Sequence, residues 1–163
     1  MVASFETRSL TPRTPEETFA LIRDLSRWPL FRGWGPLPGI REATLPDGGQ
    51  VTLGSRIRVT NTDGSVHHET VVALEPARLY TVRMELSRPA SWIIGGIVET
   101  VSLAPVPEGT RLVRRFSVTA RSVFTAPLAW LITRVFLRRA VLRHDAAVVA
   151  ALAGAPRSIA AGR

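Results

Sequence analysis

Residues 14–34 have the sequence TPEETFALIRDLSRWPLFRGW, which predicts a capped helix followed by an aromatic turn that proline interrupts. Thr14 is a typical N-cap residue and Pro15 suits the first helical position, while the two glutamates that follow favour the positive end of the helix dipole. Apolar residues recur at helical spacing from position 19 to position 25 and give the helix one apolar face. We expect the helix to end at Trp28, with a short second helical turn before Gly33.

Around this segment, the chain alternates between strand patterns and tight turns, and it closes with one long amphipathic helix. A first strand is predicted over 5–10, and six more over 40–45, 55–61, 66–74, 79–86, 92–104 and 111–120. Gly95-Gly96 predicts a β-bulge in the longest strand. The last helix extends roughly over 125–152 and stops at Gly154. The element order β-α-α-β6-α predicts an α+β fold with one antiparallel sheet and a long helix packed against it.

Composition limits the classes of function. The 163 residues include 45% hydrophobic residues and no cysteine, so disulfides, thiol nucleophiles and cysteine-ligated metals are excluded. The lack of cysteine and of an apolar leader predicts a cytoplasmic protein. All 21 basic residues are arginine, and with 13 acidic residues they give a net charge of +8. Because the arginines are dispersed, we favour a GC-rich bacterial coding bias over nucleic-acid binding.

Five short segments carry a resemblance to a known superfamily. They are TPEETF at 14–19, LSRWP at 25–29, LGSRI at 53–57, LEPARL at 74–79 and EGTRL at 108–112. In this order and spacing, they resemble the polyketide cyclase/dehydrase and lipid-transport branch of the START-like (SRPBCC, Bet v 1-like) superfamily. The resemblance extends to about residue 152. It implies a single START-like ligand-binding domain over residues 1–153, followed by a flexible tail over 154–163.

The resemblance implies a helix-grip fold, in which a curved antiparallel sheet wraps around the long C-terminal helix and leaves an internal apolar cavity. Members of the superfamily include lipid carriers, hormone receptors and aromatase/cyclases, and they share no catalytic motif. The expected function is therefore binding of a lipid, isoprenoid, quinone or polyketide-like molecule, as carrier or sensor. The alternative is a cyclase, aromatase or dehydratase that needs no cofactor and uses acid/base residues in the same cavity. Either a monomer or a homodimer is consistent with the sequence.

Strand parity predicts which side chains face the cavity, because alternate residues of a strand share one face. On the strand over 66–74, the apolar residues Val72 and Leu74 indicate that His68 and Thr70 also face inward. The same parity applies to the other strands, and Trp34 and Trp92 are large residues that flank loops expected near the cavity mouth. The predicted ligand-binding residues are Trp34, Val59, Thr70, Tyr80, Val82, Met84, Trp92, Ile97, Phe116 and Leu131.

Three ionisable residues, His68, Glu99 and Arg114, fall on this otherwise apolar face. Glu99 and Arg114 lie on neighbouring strands, so one interpretation is a structural ion pair between them. The other interpretation is catalytic, with Arg114 binding a ligand carboxylate or enolate and Glu99 or His68 acting as general base. The sequence leaves both interpretations open.

Two further features concern partners. His67 and Glu69 share one face of a strand, but the set of three or four ligands that a metal needs is not visible, so no metal site is expected. The last helix carries Arg134, Arg138, Arg139 and Arg143 near large apolar residues. This pattern is compatible with a solvated outer face, and also with peripheral contact of the basic helix with a membrane.

Overall fold

The computed structural model describes residues 2–154, so the part of the predicted tail that follows Gly154 lies outside the described residues. Seven strands form one antiparallel sheet: β1 (Val2–Thr11), β2 (Ile40–Thr44), β3 (Arg56–Asn61), β4 (Val66–Glu75), β5 (Leu79–Glu85), β6 (Ile94–Val106) and β7 (Gly109–Ala120). Their order across the sheet is β1-β7-β6-β5-β4-β3-β2, and all neighbours are antiparallel. The predicted strands and the α+β helix-grip architecture are confirmed.

The N-terminal helix α1 (Pro15–Arg23) follows β1 directly, and its start is the one that the sequence predicts. The Thr14 hydroxyl accepts from the Glu17 backbone N–H, and the Glu17 carboxylate accepts from the Thr14 backbone N–H, which forms a complete capping box. The helix ends at Arg23, earlier than predicted. A 3-10 helix over Leu25–Leu30 contains Trp28 and continues the chain toward β2.

The C-terminal helix, residues 126–154, covers the concave face of the curved sheet. It consists of α2 (Ala126–Leu131), a π-helical segment (Ile132–Leu137) and α3 (Arg138–Gly154). Val141 is completely buried in a core cluster that includes β7 residues. The single long helix is therefore confirmed, with π winding in its second quarter that the sequence pattern does not indicate.

Strand β4 differs from the prediction by one inserted residue. The register with β5 pairs Val71 with Val82 and Ala73 with Thr81, so Val72 is the extra residue of a β-bulge. Since a one-residue shift exchanges the two faces of a strand, the buried residues before the bulge are the odd-numbered ones at 67, 69 and 71. The inward placement predicted for His68 and Thr70 is therefore wrong. The Gly95-Gly96 bulge in β6 is confirmed by a register shift between Ile94 and Gly96.

Candidate functional site

An internal cavity of about 540 Å³ lies between the concave face of the sheet and the C-terminal helix. Its walls come from β4 to β7, from the 3-10 helix over Leu25–Leu30 and from the inner face of the C-terminal helix. Ile132 and Leu137 both line it and lie five residues apart, which is the hydrogen-bond spacing of the π-helix that holds them. Loops around residues 36–38, 63–66 and 86–90 complete the lining. A mostly apolar cavity of this size is typical of small-molecule sites.

One wall of the cavity carries a buried ionic cluster centred on Arg114. In the β6–β7 register, Arg114 lies opposite Val101, so Glu99 is its diagonal neighbour on the same face. The Arg114 guanidinium donates from Nε to Glu99 Oε1 over 2.7 Å and from Nη1 to the Asp145 carboxylate of α3 over 2.6 Å. The Thr7 hydroxyl of β1 also donates to Asp145, over 2.7 Å. The predicted Glu99–Arg114 pair is thus present, as part of a triad with Asp145.

Burial shifts the proton equilibria of this triad. Burial raises the pKa of the Glu99 carboxyl, and Arg114 offsets only part of that rise because Glu69 and Asp145 add further negative charge nearby. Burial also opposes the charge of Arg114, but Glu99 and Asp145 outweigh it and raise the pKa of the guanidinium. Arg114 is therefore a permanent cation between two carboxylates. Glu99 is the carboxyl group of the triad whose protonation burial favours.

A second set of polar side chains on the cavity wall comes from β3, β4 and β5. The Asn61 amide approaches His67 Nδ1 at 3.3 Å, and His67 Nε2 approaches Glu69 Oε1 at 3.1 Å. Since an amide NH₂ can only donate, Nδ1 accepts and Nε2–H donates to Glu69. The Tyr80 hydroxyl is buried on the same wall and has no hydrogen-bond partner within residues 2–154. Burial, followed by the charges of Glu69 and Glu99, raises the pKa of Tyr80, so its hydroxyl remains a donor.

His144 is the third polar feature, on the face of α3 that lines the cavity. Its ring packs edge-on against Phe31, with 5.7 Å between the ring centroids. Burial and then the positive charge of Arg114 lower the pKa of His144 to about 4, against opposing effects of Asp145 and the Leu30 carbonyl. The imidazole is therefore neutral at pH 7. It can exchange hydrogen bonds with a ligand without bringing a charge into the cavity.

Comparison with protein-family models identifies the chain. The model described as "Polyketide cyclase / dehydrase and lipid transport" matches residues 2–153, which is almost the entire sequence. The chain belongs to this family. No curated protein sequence is significantly similar to it.

Solved structures of other proteins share the fold of this family member. The structure of Ara h 8.0201 has a TM-score of 0.69 at 14% identity and covers 95% of this chain and 100% of its own. The di-domain ARO/CYC StfQ from the steffimycin biosynthetic pathway has a TM-score of 0.67 at 16% identity, covering 92% of this chain and 50% of its own. Thalictrum flavum norcoclaurine synthase has a TM-score of 0.66 at 11% identity, with 94% and 95% covered. At sequence identities this low, the structural similarity shows that these proteins share the fold.

The predicted site residues of this family member divide into two groups. The cavity is lined by seven of them: Tyr80, Val82, Met84, Ile97, Glu99, Arg114 and Phe116. Six do not line it: Trp34, Val59, His68, Thr70, Trp92 and Leu131.

The six corrections have local reasons. The β4 bulge turns His68 and Thr70 outward, and Val59 is completely buried in the core. Trp34 packs on Phe136, with 5.5 Å between their ring centroids. Trp92 and Leu131 are exposed on the outer surface.

Strand parity and the helix pattern missed several polar residues that line the cavity, among them His67, Glu69, His144 and Asp145. The first two were misplaced because the apolar run over 71–74 hides the parity of β4. The sequence does contain a pattern that indicates the position of Asp145. Val141 precedes it by four residues and Val148 follows it by three, so all three lie on one face of the helix. This spacing places the carboxylate on the buried face of the helix, where only a buried partner stabilises it.

Two other kinds of site are absent from residues 2–154. Within this range, no group of three or more His, Asp or Glu side chains is placed to hold one metal ion. No helix in the same range is long and apolar enough to cross a bilayer.

Proposed function

We propose that this protein is a cytoplasmic carrier or sensor that binds a hydrophobic small molecule in the internal cavity. The observation that carries the proposal is the cavity itself, with a volume of about 540 Å³ and a mainly apolar wall. Apolar contacts would supply most of the affinity, because they remove ligand and protein surface from water. The polar groups on the wall would fix the orientation of the ligand. A lipid, isoprenoid, quinone or polyketide-like molecule matches this description.

A matched pair of variants on β5 tests this proposal. Met84 lines the cavity, whereas its neighbour Arg83 is exposed on the opposite face of the strand. We expect Met84→Trp to fill the cavity and to abolish binding of the neutral fluorophore 1-aminoanthracene, which reports entry into an apolar cavity. Arg83→Trp should leave binding unchanged. Equal binding by both variants, with unchanged melting temperatures, would show that the dye does not bind in the cavity and would contradict the proposal.

Native mass spectrometry of the freshly purified protein complements the dye. We expect solvent extraction to release a co-purifying apolar molecule from the wild-type protein and none from Met84→Trp. Its mass and fragmentation would then give the ligand class. A molecule that is retained equally by both proteins would be bound outside the cavity.

A second candidate function is ring closure or dehydration of a polyketide-like chain. Glu99 favours it, because burial raises the pKa of a carboxyl group that faces an apolar cavity, and this is how a general acid or base is adapted to neutral pH. The test is incubation with a linear poly-β-keto thioester. We expect loss of one water in the product with the wild-type protein and none with Glu99→Gln, at equal dye affinity. If Glu99→Gln keeps full turnover, the residue has no acid/base role.

A further inference from the structure

The buried polar end of the cavity has no excess positive charge to offer an anionic ligand. Glu69, Glu99 and Asp145 are all almost completely buried and all line the cavity. Arg114 is bound on one side by Glu99 and on the other by Asp145. Arg23, whose charge also reaches Tyr80, adds a second guanidinium group, so three carboxyl groups face two guanidinium groups. The positive charges therefore do not outnumber the negative ones whether Glu99 is ionised or protonated.

Two other basic side chains lie near this buried end, Arg23 and His67, and each already has partners within the protein, whereas Arg27 and Arg88 line the cavity as exposed side chains. Arg23 donates to the Val51 carbonyl, and its guanidinium lies over the Phe19 ring. His67 donates to Glu69 and accepts from Asn61, so neither of its ring nitrogens is free to bind an anion. A ligand carboxylate would therefore enter beside Glu69 and Glu99 without a cation of its own, and like charges at short range disfavour each other strongly in a buried site.

Within residues 2–154, the Tyr80 hydroxyl is one of two unpartnered polar groups on cavity-lining residues, the other being His144 Nδ1, and it is the one that can donate to a ligand oxygen. It is 3% exposed, lines the cavity and has no partner within the described residues. A buried hydroxyl without a partner costs free energy, and a ligand oxygen that accepts its proton removes that cost. In the β5–β6 register Tyr80 lies opposite Val101, which makes Glu99 its diagonal neighbour. A ligand hydroxyl bound to Tyr80 thus has a carboxyl group on the same wall.

Building on the proposed function, we propose that the cavity selects uncharged amphiphiles whose hydroxyl or carbonyl group meets Tyr80, and that it discriminates against carboxylic acids. A preference for uncharged ligands excludes the carboxylate-binding role that the sequence suggests for Arg114. It narrows the ligand class to neutral molecules such as isoprenoid alcohols, quinones and neutral polyketides. Free fatty acids with chains of similar length fall outside this ligand class.

Displacement of 1-aminoanthracene by 1-decanol and by decanoate at pH 7.5 tests the proposal, since the two competitors share one chain. We expect decanol to bind at least tenfold more tightly. Tyr80→Phe should weaken decanol binding about fivefold, the effect of one hydrogen bond. Thr81→Val removes a hydroxyl from the opposite face of the same strand and should change nothing. Glu69→Gln should strengthen decanoate binding.

The outcomes separate the two proposals. Decanoate that binds as tightly as decanol to the wild-type protein would overturn the charge selectivity and leave cavity binding intact. An unchanged decanol affinity in Tyr80→Phe would overturn the role of the hydroxyl. A wild-type protein that takes up neither the dye nor decanol would contradict cavity binding itself, and the selectivity with it.

Large apolar side chains are exposed on the outer surface, in the region where β7 ends and the C-terminal helix begins. Phe124 is 92% exposed and Val123 is 75% exposed. Trp92 is 61% exposed and belongs to the same region, because the Arg121 backbone N–H donates to the Ile93 carbonyl over 2.8 Å. Adjacent large apolar side chains with this exposure usually mark an interaction surface.

The exposed apolar side chains continue along the helix. Leu128, Leu131 and Val135 follow Phe124 at intervals of four, three and four residues, and all are exposed. This spacing forms one apolar stripe, and Trp130 is exposed beside it. We call this region, from Trp92 through Val123 and Phe124 to Val135, the apolar stripe.

The charges around the apolar stripe indicate its partner. Residues 109–144 contain eight arginines and no acidic residue. Arg121, Arg134 and Arg138 are exposed next to the stripe, whereas Arg139 and Arg143 lie over the Trp34 ring. An apolar stripe flanked by arginines matches a bilayer with anionic headgroups.

We infer that the apolar stripe docks on an anionic lipid bilayer. Residues 86–90, which line the cavity, lead directly to Trp92 in the stripe. Docking would therefore bring one edge of the cavity lining to the lipid surface. This gives a hydrophobic ligand a short route between bilayer and cavity.

Co-sedimentation with vesicles tests the inference. We expect binding to phosphatidylcholine vesicles that contain one quarter phosphatidylglycerol, and about tenfold weaker binding to phosphatidylcholine alone. Phe124→Asp should weaken binding about tenfold, whereas Leu53→Asp, at a 64% exposed leucine in the loop before β3, should not. Likewise, Arg138→Glu should weaken binding and Arg111→Glu, at the far end of β7, should have little effect.

Two results would overturn the inference. One is equal sedimentation of the Phe124→Asp and Leu53→Asp proteins. The other is a concentration-dependent dimer in light scattering that Phe124→Asp dissociates, because the stripe would then bind a second copy of the chain.

Discussion

His144 offers a quantitative test of the electrostatics of the cavity. Its pKa is lowered to about 4 from an ordinary value of 6.5, first by burial and then by Arg114. As pH falls below 6.5, the unfolded chain takes up a proton at His144 that the folded protein does not, so acidification reduces the free energy of unfolding. At about 1.4 kcal/mol for each tenfold change in proton affinity, the loss is about 2 kcal/mol by pH 5 and about 3 kcal/mol by pH 4.

The assay compares urea unfolding of the wild-type protein and His144→Gln at pH 7.5 and at pH 5. Glutamine remains neutral at both values, so we expect the wild-type protein to lose about 2 kcal/mol more than the variant. Glu99, whose pKa is raised, affects both proteins in the opposite direction and cancels in the comparison. His68→Gln, on the outer face of the sheet, is the matched control and should behave like the wild-type protein. Equal pH dependence of wild type and His144→Gln would refute the reasoning, as would an NMR titration of the His144 ring near pH 6.5.

Three further predictions concern stability. Asp145→Asn should lower the free energy of unfolding by about 3 kcal/mol in urea titrations, because it leaves Arg114 with only Glu99 in a buried site; a loss below about 1 kcal/mol would contradict this. Tyr80→Phe should stabilise the ligand-free protein by about 1 kcal/mol by removing a buried hydroxyl without a partner, and a lower melting temperature would disprove it. Thr14→Ala should cost about 1 kcal/mol through loss of the capping box, and unchanged stability would show that the cap contributes nothing.

The fold was predictable because its signals are local and repeated. The Thr14 cap and the turns between strands depend on neighbouring residues, so the sequence alone places them. Strand parity correctly predicted which residues of β5, β6 and β7 face inward. It succeeded because the pairing of these strands has no register shift between Gly96 and the end of β6. Glu99 and Arg114 were therefore correctly predicted on the cavity wall and as an ion pair.

The other half of the polar site depends on contacts that no single element determines. The bulge at Val72 is a mismatch between two strands, which the sequence of β4 alone does not show. Asp145 completes the triad only because α3 crosses the sheet above Arg114. The aromatic residues Trp34 and Trp92 are predicted at the cavity from their size and from the loops they flank, and the residue pattern does not determine the course of those loops.

The bulge in β4 has a consequence for how such a cavity changes over evolutionary time. A single inserted residue moves every side chain on one side of the insertion to the opposite face of the strand. Side chains that faced the cavity then face solvent, and those that faced solvent then face the cavity. Deleting Val72 would turn His68 and Thr70 toward the cavity and His67 and Glu69 toward solvent. One codon gained or lost would thus exchange a histidine and a glutamate of the wall for a histidine and a threonine, and so remove one of its three buried carboxyl groups. Ligand preference in a fold of this kind can change by insertion and deletion, with every other residue of the sequence kept.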